Sequence, residues 1–127
     1  MTRPLRSIDL PGASHKAPIP AAARVGNILC TSAVSGKDAA GVLPDDMAAQ
    51  ARNAFANLRA LLQAGGASMD ELVKLNVTIG DDRVRDAVNA QWLEHFPNPH
   101  DRPARHIVVQ PLQHGMRLQL EAMAVIR

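Results

Sequence analysis

The sequence has 127 residues, 14 Lys and Arg against 12 Asp and Glu, and 46% hydrophobic content. That length suits one compact domain over residues 1–127, and the apolar fraction supplies a core without disulfides or a structural metal. Interspersed charge, an aromatic content of 2% and no Tyr argue against a basic stripe or a stacking platform, so no nucleic-acid partner is expected.

Residues 1–20 are rich in Pro, Ser and Gly, with Arg6 to Leu10 the one short extended candidate before Pro11-Gly12. Arg24-Val25-Gly26-Asn27 reads as the turn of a hairpin whose second strand includes Ile28 to Val34. After a loop from Gly36 to Pro44, Asp45 or Asp46 caps a helix. Its buried stripe is Met47, Ala51, Ala54, Phe55, Leu58, Leu61 and Leu62, and Gly65-Gly66 stops it. Ser68 and Glu71 have capping-box spacing for one short turn. Val73, Leu75, Val77 and Ile79 then alternate with Lys74, Asn76 and Thr78, a strand with one core face and one face that is wet or meets a partner.

Asp81 and Asp82 open a second helix with Val84, Val88, Trp92 and Phe96 at four-residue steps, ended by Pro97. Arg105 to Gln110 is extended, Pro111 to Gly115 turns, and Met116 to Ile126 alternates, with Leu118, Leu120, Ala122, Ala124 and Ile126 on one face. These last two stretches read as a closing β-hairpin. The element order gives an α+β class: a two-layer sandwich of a mixed sheet with two helices on one face.

Dinucleotide loops, phosphate loops and nucleophile elbows have no counterpart here. Cys30 is the single cysteine, which removes internal disulfides and paired-cysteine zinc sites and suits a reducing compartment. It sits in an apolar strand, where cysteine ordinarily behaves as a small buried hydrophobe. The five histidines are His15, His95, His100, His106 and His114, with no pair one helical turn apart, so no metal is expected. No apolar run has the length of a signal peptide or a membrane span, and a cytoplasmic location is expected.

Arg105 opens a strand with Ile107 and Val109 on its own face. It either swings into solvent or presents a planar fork to a carboxylate at the mouth of an apolar cleft. Gln119, on the last strand across the final turn, is either an exposed amide or a group that orients water. An amide cannot accept a proton as a carboxylate does. Asn89 on the second helix either braces a loop or touches a ligand.

Arg102-Pro103-Ala104-Arg105, Leu120-Glu121-Ala122-Met123-Ala124, the Ala-Gly-Gly-Ala-Ser run at 64–68 and Arg24-Val25-Gly26-Asn27 occur in an order and spacing that resemble the RidA family, also called YjgF. The resemblance runs from about residue 17 to the end. It implies a chorismate-mutase-like fold, a homotrimer around a central β-barrel, ligand clefts between subunits, no cofactor and hydrolysis of small reactive enamines or imines to 2-oxo acids and ammonia. It assigns carboxylate binding to Arg105 and cleft-forming backbone to Ser32 and Ala33. The family's cleft tyrosine falls on Ile19, a frequent cysteine on Ile107 and the water-activating glutamate on Gln119, so the expected cleft is more apolar and lacks that carboxylate.

The leading expectation is an imine or enamine deaminase with Arg105 holding the substrate carboxylate, Gln119 placing water, and Ile19, Ile107, Ser32, Ala33 and Asn89 around it. The first rival is a non-catalytic protein that binds a small carboxylate and reports it to a partner. The second is the endoribonuclease or translation-inhibitor activity attached to the family, which lacks basic and aromatic support here.

Overall fold

A computed structural model of the chain describes residues 3–10 and 17–127. Pro11-Gly12 and His15 lie outside the described residues. The elements are β1 (Ser7–Ile8), β2 (Ala22–Val25), β3 (Ile28–Thr31), α1 (Met47–Ala64), β4 (Leu72–Ile79), α2 (Arg85–His95), β5 (Ala104–Val109) and β6 (Leu118–Val125). Single 3-10 turns at Met69–Glu71 and Asp82–Val84 precede β4 and α2. The strands form one six-stranded mixed sheet in the order β1-β2-β3-β6-β4-β5. Both helices cover one face, as the element order leads one to expect.

Local chemistry explains most boundaries. Asp46 accepts a hydrogen bond from Ala49 N at 3.0 Å and so caps α1, resolving the choice between the two aspartates. Gly66 takes φ +84°, in the left-handed region, just beyond the Gly65 cap. At the tip of the β2–β3 hairpin Gly26 has φ +60°. Ser68 and Glu71 form the expected capping box.

The closing hairpin is not formed. β5 pairs in parallel with β4, with α2 as the crossover, and β6 runs antiparallel between β3 and β4. Sequence neighbours separated by a plain turn suggested direct pairing, but β4 offers both of its edges, and a βαβ unit brings β5 to the outer one.

A second difference lies at the start of β4. Leu72 pairs with Ala124 and Lys74 with Met123, so Val73 is an extra residue. This bulge resets the alternation: Leu72 and Leu75 are buried while Val73 is 45% exposed. Cys30 also departs from expectation. In β3 it is Leu29 that points into the core, and alternation turns Cys30 to the exposed side.

The core joins Phe55, Leu58 and Leu62 of α1 and Val84 and Val88 near α2 to Leu75, Val77, Ile79, Leu118 and Leu120 of the sheet. Gln50 is the one polar side chain within it among the described residues, fully buried on α1. Its Nε2 donates to Pro44 O at 2.7 Å and to Gly115 O at 3.0 Å, and its Oε1 accepts from Arg117 N at 2.9 Å. Gln50 thereby ties the helix to the segment leading into β6. Replacing it by Leu strands three backbone groups in a dry site. Gln50→Leu is expected to cost about 3 kcal/mol in urea unfolding at fixed protein concentration. A change below about 0.5 kcal/mol, the scale of an ordinary surface substitution, would contradict that role.

Candidate functional site

Cross-strand partners share a face of the sheet, so register assigns every candidate to a side. Arg105 pairs with Leu75 and Ile107 with Val77, and these β4 residues are buried under the helices. Arg105 therefore lies on the helix side, at the outer strand, beside α2. Its Nη1 donates to Asn89 Oδ1 at 2.9 Å, and its guanidinium carbon stands 4.8 Å from the centroid of the Trp92 ring. Asn89 thus contacts Arg105 instead of bracing a loop.

Burial, followed by the like charge of Arg85, lowers the pKa of Arg105 from its ordinary value. Arg85 itself is held by Asp82 at 2.9 Å. Among the described residues no carboxylate pairs with Arg105. The guanidinium is fixed on one ring face and at one N–H, and its other donors have no protein acceptor there. A partly desolvated cation with an empty fork favours an anionic ligand.

The sequence places Trp92 on the α2 stripe and gives it no role at Arg105. Four-residue steps on a helix drift by about 40° each, so Trp92, the third member from Val84, packs against the core with only part of its ring and presents the rest to Arg105. Trp92 is half-buried and faces Arg105, while Val88 and Phe96 stay buried. The signal was present, because Asn89 lies three residues before Trp92 on the same side.

Gln119 occupies the opposite face. It pairs with Thr78, which also pairs with Val108, and its Nε2 lies 3.4 Å from Met116 Sδ. Arg105 and Gln119 of one chain therefore point away from each other, contrary to a shared cleft across a terminal turn. The cause is the insertion of β4 between their strands combined with the two-residue period. Glu121, Asn76 and His106 form the neighbouring row on Gln119's face.

Ser32, Ala33 and Ile19 gather on the other side of β6. Cys30 pairs with Met123 and Val34 bridges to Leu120, leaving one extra residue on the first strand. The stretch between them leaves the ladder, and Thr31 Oγ1 accepts from Ala122 N at 3.0 Å in its place. Ser32 N donates to Ala21 O and Ser32 Oγ to Pro20 O, each at 2.8 Å, which ties this backbone to the Ile19 segment. Ala33 and Ile19 are exposed. The candidates thus fall into two groups: Arg105, Asn89, Ile107 and Trp92 at one edge, and Gln119, Ser32, Ala33 and Ile19 beyond β4.

No cluster of His, Cys, Asp or Glu among the described residues could hold a metal ion. His95 is structural, stacking on Phe55 at 5.3 Å with Nδ1 2.9 Å from Gln91 O. A cavity of about 730 Å³ lies among Arg3, Arg6, Arg24 and Val25, strands away from every candidate residue. No helix among the described residues is long and apolar enough to cross a membrane.

The family profile described as Endoribonuclease L-PSP matches residues 14–126. The chain is 35% identical over 107 residues to a 2-iminobutanoate/2-iminopropanoate deaminase of Escherichia coli K12, covering 81% of this chain and 83% of that protein. It superposes on the crystal structure of the YjgF gene product of E. coli with TM-score 0.86 at 30% identity, over 96% and 99% of the two chains. RidA from an Antarctic Psychrobacter gives TM-score 0.86 at 28% identity, over 95% and 99%.

A partly buried cation without a counter-ion contributes little to folding. Arg105→Met keeps the apolar stem and removes the charge, and its unfolding free energy is expected within about 1 kcal/mol of wild type. A loss near 3 kcal/mol in chemical denaturation would make Arg105 a structural residue instead.

Proposed function

We propose that this chain, which belongs to the Endoribonuclease L-PSP family that includes the RidA proteins, hydrolyses small 2-imino or enamino acids to 2-oxo acids and ammonia. It acts in the cytoplasm, needs no cofactor, and works as a homotrimer. The observation that carries this reading is Arg105, half-buried, held by Asn89 and Trp92 and lacking a carboxylate partner among the described residues. Deaminase names among its relatives support the same chemistry.

In this account the free edge of the Arg105 guanidinium takes the substrate carboxylate in a bidentate pair. Ile107 and Ile19 line the apolar part of the cleft. An enamine is first protonated at its β-carbon to give the protonated imine. Water then adds to the imine carbon, forming a C–O bond while nitrogen takes up the electron pair and a proton. The resulting carbinolamine loses ammonia as its carbonyl forms. Gln119 accepts and donates hydrogen bonds to place the water, with backbone near Ser32 and Ala33 completing the wall. Protonated imines are already electrophilic, so placement supplies much of the acceleration. Ionisable groups on Gln119's face include Lys74, His106, Glu121 and, across Met123, Cys30.

Arg105 and Gln119 lie on opposite faces of one chain, so a cleft using both is built from two chains. The exposed sheet face, with Val25, Ile28 and Met123 at 68%, 49% and 37% exposure, is the surface that a neighbouring copy covers. A monomeric mass by light scattering at micromolar concentration would contradict this assembly.

A second reading, a carboxylate-binding protein without turnover, is favoured by one observation: Gln119 cannot take a proton. Imines generated in situ by an amino-acid oxidase, with semicarbazide trapping the remainder, separate the two. Wild type is expected to suppress the semicarbazone, and Arg105→Ala to lose about tenfold or more of that rate. No acceleration over small and large imino acids would overturn the deaminase reading. Retained 2-oxo acid binding would then select the binder.

A further inference from the structure

We infer that Trp92 is a positioning residue for the ligand carboxylate: it pre-orders the Arg105 fork, and its indole reports whether the fork is filled. This deepens the reading of Arg105 as the carboxylate anchor and rests on it. The guanidinium lies over the Trp92 ring at 4.8 Å, and Asn89 Oδ1 holds Nη1 at 2.9 Å. Together a flat surface and one hydrogen bond define the plane and the rotation of an otherwise flexible side chain. The indole is itself braced by the buried Phe96 ring, 4.8 Å away and at 60° to it.

Trp92 also keeps water from one face of the guanidinium, which strengthens a pair formed at its free edge. Val84, Val88 and Phe96 are the buried residues of this region, and the half-buried indole packs against that core with only part of its surface. A side chain ordered before the ligand arrives spares the complex that ordering on binding. Removal of the ring is therefore expected to weaken carboxylate binding by about threefold to tenfold. Trp92 is the sole tryptophan and the chain has no Tyr, so excitation at the indole band reads this residue alone.

The test titrates 2-oxobutanoate, the product of 2-iminobutanoate hydrolysis, into the full-length protein, following Trp92 fluorescence and, independently, calorimetry. In wild type the fluorescence is expected to change saturably with the calorimetric Kd, and the response to vanish in Arg105→Ala. Trp92→Leu should raise the calorimetric Kd about threefold to tenfold, and Trp92→Phe, which keeps a flat ring, should recover most of the affinity. Equal Kd values for wild type and Trp92→Leu, with binding still abolished in Arg105→Ala, would overturn this role and leave the carboxylate anchor standing. A wild-type fluorescence that stays flat while calorimetry shows saturation would also overturn it. No calorimetric binding by wild type would overturn the anchor itself.

Discussion

The position of β4 constrains everything else in this molecule. It pairs with β6 on one edge and β5 on the other, so its two-residue alternation sorts the side chains of three strands at once. Leu75, Val77 and Ile79 pull Leu118, Leu120 and Ala122 beneath the helices, and they carry Arg105 and Ile107 to that side as well. Thr78 and Asn76 turn Gln119, Glu121 and His106 the other way. A one-residue slip of β5 would place the guanidinium on the open face and leave Asn89 and Trp92 without it. The bulge at Val73 confines the irregularity to the start of β4, so that the register downstream is kept.

From that sorting follows a site in two halves. One half is a cation held at the sheet edge by α2; the other is an amide and a stretch of irregular backbone across β4. Among the described residues the cation has no counter-ion, and the side-chain hydrogen bond of the Gln119 amide goes to the Met116 sulfur. Both side chains are half-exposed, so the donors and acceptors they do not use within the described residues are open to a ligand. The apolar, exposed face between them gives a reason for self-association that joins the halves of different copies. In the proposed deaminase reading Gln119 places water, in a reaction whose electrophile needs little activation once protonated.

Local elements were legible in the sequence because their causes are local. Asp46, the α1 stripe, Gly65-Gly66 and the Ser68–Glu71 box each act within a few residues, and the β2–β3 turn is set by Gly26. The pairing of β5 with β4 was not legible, since a non-local ladder leaves no mark in the turn between β5 and β6. Val73 and Cys30 show two ways that alternation misleads: a bulge shifts its phase, and a short strand such as β3 fixes its phase only through its partners. Arg105 and Asn89 were named from residue chemistry and meet in space. On the α2 stripe alone Trp92 carried no sign of its second contact: it packs partly against the core, and meets the guanidinium only because β5 pairs with β4.

In the proposed enzyme Arg105 and Gln119 serve one cleft from two chains. Mixed trimers refolded from equal amounts of Arg105→Ala and Gln119→Ala subunits test it most directly, with imine hydrolysis compared with each parent trimer. Random assembly should restore intact clefts to about a quarter of the wild-type number, since each such cleft needs its arginine from one variant and its glutamine from the other. Activity that stays at the level of the parents would place both residues in a cleft of one chain and contradict the account.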